Sequence, residues 1–145
     1  MKKLSAGLLA LALACVTPLI QAQEAKPYKE GQVVEVSYIR TKPGRFDDYM
    51  QWLATSYRPL MEANRKAGLI VGYRIFAAQP RHPNEPDLIL TITFPNMAAL
   101  DRIEESEAIA TKVMGSMTTQ NKATAERGSL REVLGSELIR ELVLK

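Results

Sequence analysis

Val33–Arg40 reads VVEVSYIR. It is rich in β-branched and aromatic residues, and apolar side chains alternate along it, which is the period of a β-strand. Val34, Val36 and Tyr38 point one way, and Glu35, Ser37 and Ile39 point the other. Thr41-Lys42-Pro43-Gly44 ends the strand, because Pro presets a turn and Gly accepts the left-handed backbone. Arg45–Ala67 follows with Phe46, Tyr49, Met50, Leu53, Tyr57, Leu60, Met61, Asn64 and Ala67 at spacings of three and four, one buried face of a helix. Asp47 and Asp48 suit its first turn, Arg65 and Lys66 its last, and Gly68 its stop. Pro59 lies inside this pattern and predicts a kink near Tyr57, since proline removes a helical hydrogen bond.

Downstream, Leu69–Ala78 reads as a second strand and Asp87–Phe94 (DLILTITF) as a third. Leu88, Leu90, Ile92 and Phe94 share one face of the third strand, with Ile89, Thr91 and Thr93 on the other. Between the two strands, Gln79–Pro86 is a loop carrying three of the chain's eight prolines. Asn96 is a suitable cap for a second helix through Leu100, Ile103, Ile109, Val113, Met114 and Met117, and the polar run Thr118–Ser129 either continues or frays it. Glu137–Lys145 alternates enough to read as a fourth strand, although Leu130, Val133, Leu134, Leu138 and Leu142 also suit a helix. The order is βαββαβ: an α+β, ferredoxin-like antiparallel sheet with two helices on one face.

The N-terminus belongs to a separate argument. Lys2 and Lys3 precede an apolar stretch from Leu4 to Val16, a break at Thr17-Pro18, and a small residue at Ala22. This is the pattern of a secretory signal peptide cleaved after Ala22. A retained membrane anchor needs a longer apolar run. A lipoprotein signal using Cys15 would place a branched residue where Ala12 stands. The expected organisation is a signal peptide over 1–22, a flexible leader over 23–31 and a single domain over 32–145, secreted to the periplasm or beyond.

Removing the signal takes two lysines and no acids from the 145 residues, leaving 123 with 17 basic and 16 acidic side chains. A near-neutral domain gives no electrostatic case for nucleic acid or an anionic membrane. The only Cys lies in the signal, so the mature chain has no disulfide, thiolate nucleophile or zinc–thiolate site. A G-x-S-x-G elbow, a P-loop, a G-x-G-x-x-G turn and an H-E-x-x-H pair are all missing from the sequence. Hydrolase, nucleotide and zinc-protease readings therefore lack their chemistry. No cofactor is expected.

The strand, the Lys42-Pro43-Gly44 turn and the helix led by Phe46 and Tyr49 together resemble the dimeric α+β barrel superfamily. That group includes antibiotic biosynthesis monooxygenase-like and EthD-like proteins. The resemblance implies a homodimer paired through its bare sheet faces around a barrel-like centre. Family activities include cofactor-free oxygenation, haem breakdown and lactone chemistry, and many members have no known activity. Haem-degrading members place a His on the second helix, and this second helix has none.

The uncovered sheet face is where the sequence places a ligand. Glu35, Ser37, Thr91 and Thr93 are expected to cluster there, joined by Arg140 or Glu141 and by Arg74 or Tyr73 according to register. The expected pocket is thus Glu35, Ser37, Arg74, Thr91, Thr93 and Arg140. A charge on a central strand needs a partner, so Glu35 is either paired with Arg140 or Arg74, or serves a ligand as base or anchor. Ile39, Ile89 and Val143 would add an apolar share to the same face.

His82, the only histidine, sits in the Pro-rich loop, where it is solvated unless that loop folds over a pocket as a general base. With only Asn84, Glu85 and Asp87 nearby, a metal site is not expected. Trp52 falls beside the apolar stripe and reads as an edge or subunit contact, or else as the wall of a flat ligand. Glu104, Glu105 and Glu107 read as a solvated helix face. The functions that fit are a small-ligand-binding domain for an apolar or aromatic molecule, a cofactor-independent monooxygenase or isomerase, and a structural interaction module.

Overall fold

The computed structural model describes residues 26–145. The expected signal peptide and cleavage site lie outside the described residues. The chain forms β1 (Tyr28–Thr41), α1 (Phe46–Trp52), a π-helical turn (Leu53–Tyr57), α2 (Arg58–Lys66), β2 (Gly72–Ala77), β3 (Leu88–Phe94), a 3-10 turn (Met97–Asp101), α3 (Ile103–Met114), α4 (Met117–Leu130) and β4 (Arg131–Leu144). The four strands form one antiparallel sheet in the order β2-β3-β1-β4. This is the ferredoxin-like α+β arrangement, with the helices on one side of the sheet.

Gly44 takes a φ of 73° in the turn after β1, and Arg45 N–H closes that turn on the Lys42 carbonyl. Asp87 ties the start of β3 to the end of β1. Its carboxylate accepts from Thr41 N–H at 3.0 Å and from the Thr41 hydroxyl, and its own N–H donates to Ile39 O. The core between sheet and helices gathers Ile39, Tyr49, Leu53, Tyr57, Met61, Leu69, Ile70, Leu88 and Leu90.

Pro59 leaves the mark its chemistry requires. The helix widens for one turn just before it, and Arg58 N–H reaches back five residues to Leu53 O. A π-turn of this kind absorbs an extra residue while keeping both ends on the same buried side. Leu53 and Tyr57 are both buried as a result.

Several boundaries differ from the sequence reading. Tyr28–Gly31, expected within the flexible leader, belongs to β1, because β4 runs far enough to pair with it: Tyr28 with Leu144, Lys29 with Val143, Glu30 with Leu142. A register shift follows Glu30, and Gly31 lies in it. A Cβ at Gly31 would sit 2.5 Å from the Glu141 carboxylate, so a side chain there would push the exposed Glu141 side chain aside. β4 starts at Arg131, not Glu137. Gly135-Ser136 does not break it, because a second shift between Tyr38 and Ile39 absorbs the irregularity. The second helix is divided. Asn96 accepts from Ala99 N–H as a cap, but that cap opens a 3-10 turn. Gly115, with φ 87°, then separates α3 from α4, which Ser116 caps.

The largest correction concerns the faces of β1. Residues directly opposite in an antiparallel ladder share a face. Glu35 stands opposite Ile92, Ser37 opposite Leu90 and Ile39 opposite Leu88, whereas Val34 faces Thr93 and Val36 faces Thr91. The first set lies under the helices. The valines and Tyr38 look out from the open face.

Candidate functional site

A cavity of about 280 Å³ lies between the sheet and the helices. β1 supplies Glu35, Ser37 and Ile39 to its floor, and β3 supplies Leu90 and Ile92. The first helical segment and its π-turn supply Tyr49, Trp52 and Tyr57, while Arg127 closes from α4 and Arg131, Val133 and Ser136 from β4. A volume near 300 Å³ is at the small end of known ligand sites. Its aliphatic and aromatic walls carry a few converging polar groups, the usual make-up of such sites.

Three of those polar groups are buried without a hydrogen-bond partner among the described residues: Trp52 Nε1, Tyr57 Oη and Arg131 Nε. All three belong to residues lining this one cavity. An unmade buried hydrogen bond costs about 1–3 kcal/mol, so folded proteins rarely keep three on the residues of one cavity. The arginines are held by aromatic rings, Arg127 over Trp52 at 5.1 Å and Arg131 over Tyr49 at 5.7 Å. Tyr49 and Trp52 stack with centroids 6.0 Å apart. Burial pushes the Tyr57 phenol well above its ordinary range, and the neighbouring Tyr49 phenol and Glu35 carboxylate add to the effect, so this hydroxyl stays protonated and able to donate. Burial also lowers the Arg131 guanidinium from its usual value.

Of the residues singled out from sequence, Glu35 and Ser37 reach this cavity, on the helix-covered side and not on the open face. No ion pair or hydrogen bond to the Glu35 side chain occurs among the described residues. Its two proposed partners are engaged elsewhere. Arg140 pairs with Glu30 at the projecting end of β1 and β4. Arg74 sits opposite Thr91 on the other side of the sheet.

Thr91, Thr93 and Arg74 line a shallow open depression with Val34, Phe76 and Glu141, so the expected single polar cluster is split by the sheet itself. Ile39 is likewise on the covered face and only 1% exposed, not part of the open one. His82 remains in its exposed loop, 3.2 Å from Glu85, and does not line the cavity. No group of metal-ligating side chains forms among the described residues.

Arg127 and Arg131 are not singled out by the sequence, which gives Trp52 as an edge or subunit contact or else as the wall of a flat ligand. Their one signal is the four-residue spacing of two arginines at the end of an otherwise polar run. Without knowing that a strand begins at Arg131, nothing aims them at Trp52 and Tyr49.

The fold and the cavity together define an α+β ferredoxin-like protein with a partly open, partly polar cavity between sheet and helices. No family model matches the chain, and no curated protein matches it. Solved structures do. Protein SO0527 from Shewanella oneidensis is 18% identical, with 80% of this chain and 98% of that one aligned and a TM-score of 0.51. A dimeric ferredoxin-like protein from an uncultured marine organism is 9% identical, covering 81% of this chain and 98% of that one, also at 0.51. Likeness at this level is a likeness of fold.

Proposed function

We propose that the protein is an exported homodimer that binds a small organic molecule in the cavity between sheet and helices. The observation that carries this reading is the convergence of three unpartnered buried polar atoms on one cavity. Release of the folded protein's contents by denaturation, followed by mass spectrometry, tests it. Wild type purified natively from periplasmic material should release a stoichiometric small molecule. A folded Ser37→Phe variant, whose ring occupies the floor, should release none. Equal yields from both would reject the cavity as the site.

Two further parts of the reading rest on other features. The basic start, apolar run and Ala22 support export, and the periplasmic chain should begin at Gln23 by intact mass. Full-length chain confined to the cytoplasm would reject export. The apolar open face supports the dimer: Phe76 is 46% and Ile139 47% exposed, beside half-buried Ile89 and Val34. A patch of this kind is commonly an interface, and a two-fold pair is the commonest closed solution. Light scattering should return twice the mature mass.

A cofactor-independent isomerase is the second reading. Glu35, a carboxylate without a cation partner on the wall that Tyr57 also lines, has the placement of a proton-transfer base. It differs from simple binding in one readout, the conversion of the released molecule to a second compound.

A further inference from the structure

The cavity's donors and charges say more about its occupant than its size does. An indole N–H and a guanidinium N–H only donate; neither can accept. Trp52 Nε1 and Arg131 Nε are therefore two buried groups that an acceptor must satisfy, and the Tyr57 hydroxyl is a third donor free to join them. A water molecule can quench one such donor. It does nothing for the charge, which is unbalanced: Arg127 and Arg131 face Glu35 alone.

Both guanidiniums are already fixed against aromatic faces, so little side-chain freedom is lost when an anion arrives. The rest of the wall is apolar, from Ile39, Leu90, Ile92 and Val133. Taking the binding reading above as its basis, we propose that the ligand is a small organic monoanion with a carboxylate-type head and an apolar body, its head held by Arg131, Trp52 and Tyr57 with Arg127 beside them.

Trp52 is the chain's only tryptophan, so its emission reports this cavity and nothing else. The probes are 3-phenylpropionate and its neutral isostere 3-phenylpropanamide, titrated into the intact mature protein with excitation at the red edge of tryptophan absorption. The acid should shift the Trp52 emission and bind at least about tenfold more tightly than the amide. Arg131→Gln should bring the two affinities together. Because that side chain is partly buried, Arg127→Gln serves as a second variant and should narrow the gap in the same direction.

If the amide binds as tightly as the acid, the anion is wrong while the ligand-binding reading survives. If neither probe moves the emission or the melting temperature at millimolar concentration, both fall together. An acid preference that persists unchanged in both arginine variants would also overturn the proposal, because the head would then lie elsewhere.

Discussion

The two faces of β1 invert the usual rule. Under the helices the strand carries Val33, Glu35, Ser37 and Ile39, with the two aliphatic ends almost fully buried and two polar residues between them. On the open face it carries Val34, Val36 and Tyr38, flanked by Ile89, Phe76 and Ile139. The outward set is the more apolar of the two. Buried polar groups and exposed apolar patches are the informative exceptions in a folded chain; β1 carries half-buried Glu35 and Ser37 under the helices, and its outward valines sit beside Phe76 and Ile139, each nearly half exposed. Under the reading proposed above, the inward side serves a ligand and the outward side a second copy of the chain.

The largest effect should come from breaking the outward side of this contrast. Ile139→Glu puts a carboxylate between Glu137 and Glu141 on the open face of β4. In a lone subunit the side chain is about half exposed and should be tolerated. In a dimer closed over this face it would be buried and unpaired, costing about 3 kcal/mol, or more than a hundredfold in association. Light scattering should fall to the mature monomer mass while the circular dichroism spectrum holds. An unchanged dimer would place the interface elsewhere.

The inward side predicts a gain. Glu35 is half-buried and contributes no ion pair to the fold, so Glu35→Leu should raise stability by about 1 kcal/mol, as apolar replacement of an unpaired, partly desolvated carboxylate often does. The same variant should bind 3-phenylpropionate at least as tightly as wild type, because the anionic head lies against the arginines and loses a like charge nearby. A fall in melting temperature would instead show that the carboxylate holds the structure together.

Much of this arrangement was legible in the sequence. Alternation along Val33–Arg40 and Asp87–Phe94, the Lys42-Pro43-Gly44 turn and the three-and-four spacing after Arg45 lead to the βαββαβ order, and Pro59 locates the disturbed turn to within a few residues. What stayed hidden is which side of β1 the helices cover. Alternation assigns residues to two faces without saying which is inside, and the more apolar set is the natural choice for the core. That choice fails because Glu35 and Ser37 line the cavity under the helices, while Val34 and Val36 pair with Thr93 and Thr91 on the opposite face. With the face inverted, Thr91, Thr93 and Arg74 were joined to Glu35 across a sheet that separates them. Arg127 and Arg131 were lost for another reason. They act together only because Gly115 and Ser116 start a new helix whose end delivers both to Trp52 and Tyr49.

The smallest effects give the finest test, because one substitution should change sign between the faces. Tyr38 and Tyr57 each carry a phenol. On the open side the Tyr38 hydroxyl donates to Glu137, a bond that also raises its pKa. On the covered side the Tyr57 hydroxyl has no partner among the described residues. Tyr38→Phe removes a made hydrogen bond at an exposed position, and the melting temperature should fall slightly. Tyr57→Phe removes an unmade one from a buried position and keeps the ring in its edge-on contact with Tyr73, so the ligand-free protein should gain about 1 kcal/mol. Once ligand is added, the order should reverse for Tyr57, because the wild-type hydroxyl then has an acceptor and the variant loses that share of the ligand's stabilisation. Melting curves with and without 3-phenylpropionate measure all four quantities. A Tyr57→Phe variant less stable than wild type when empty would mean that the hydroxyl is already satisfied, and the cavity would lose one of the three groups that mark it as a site.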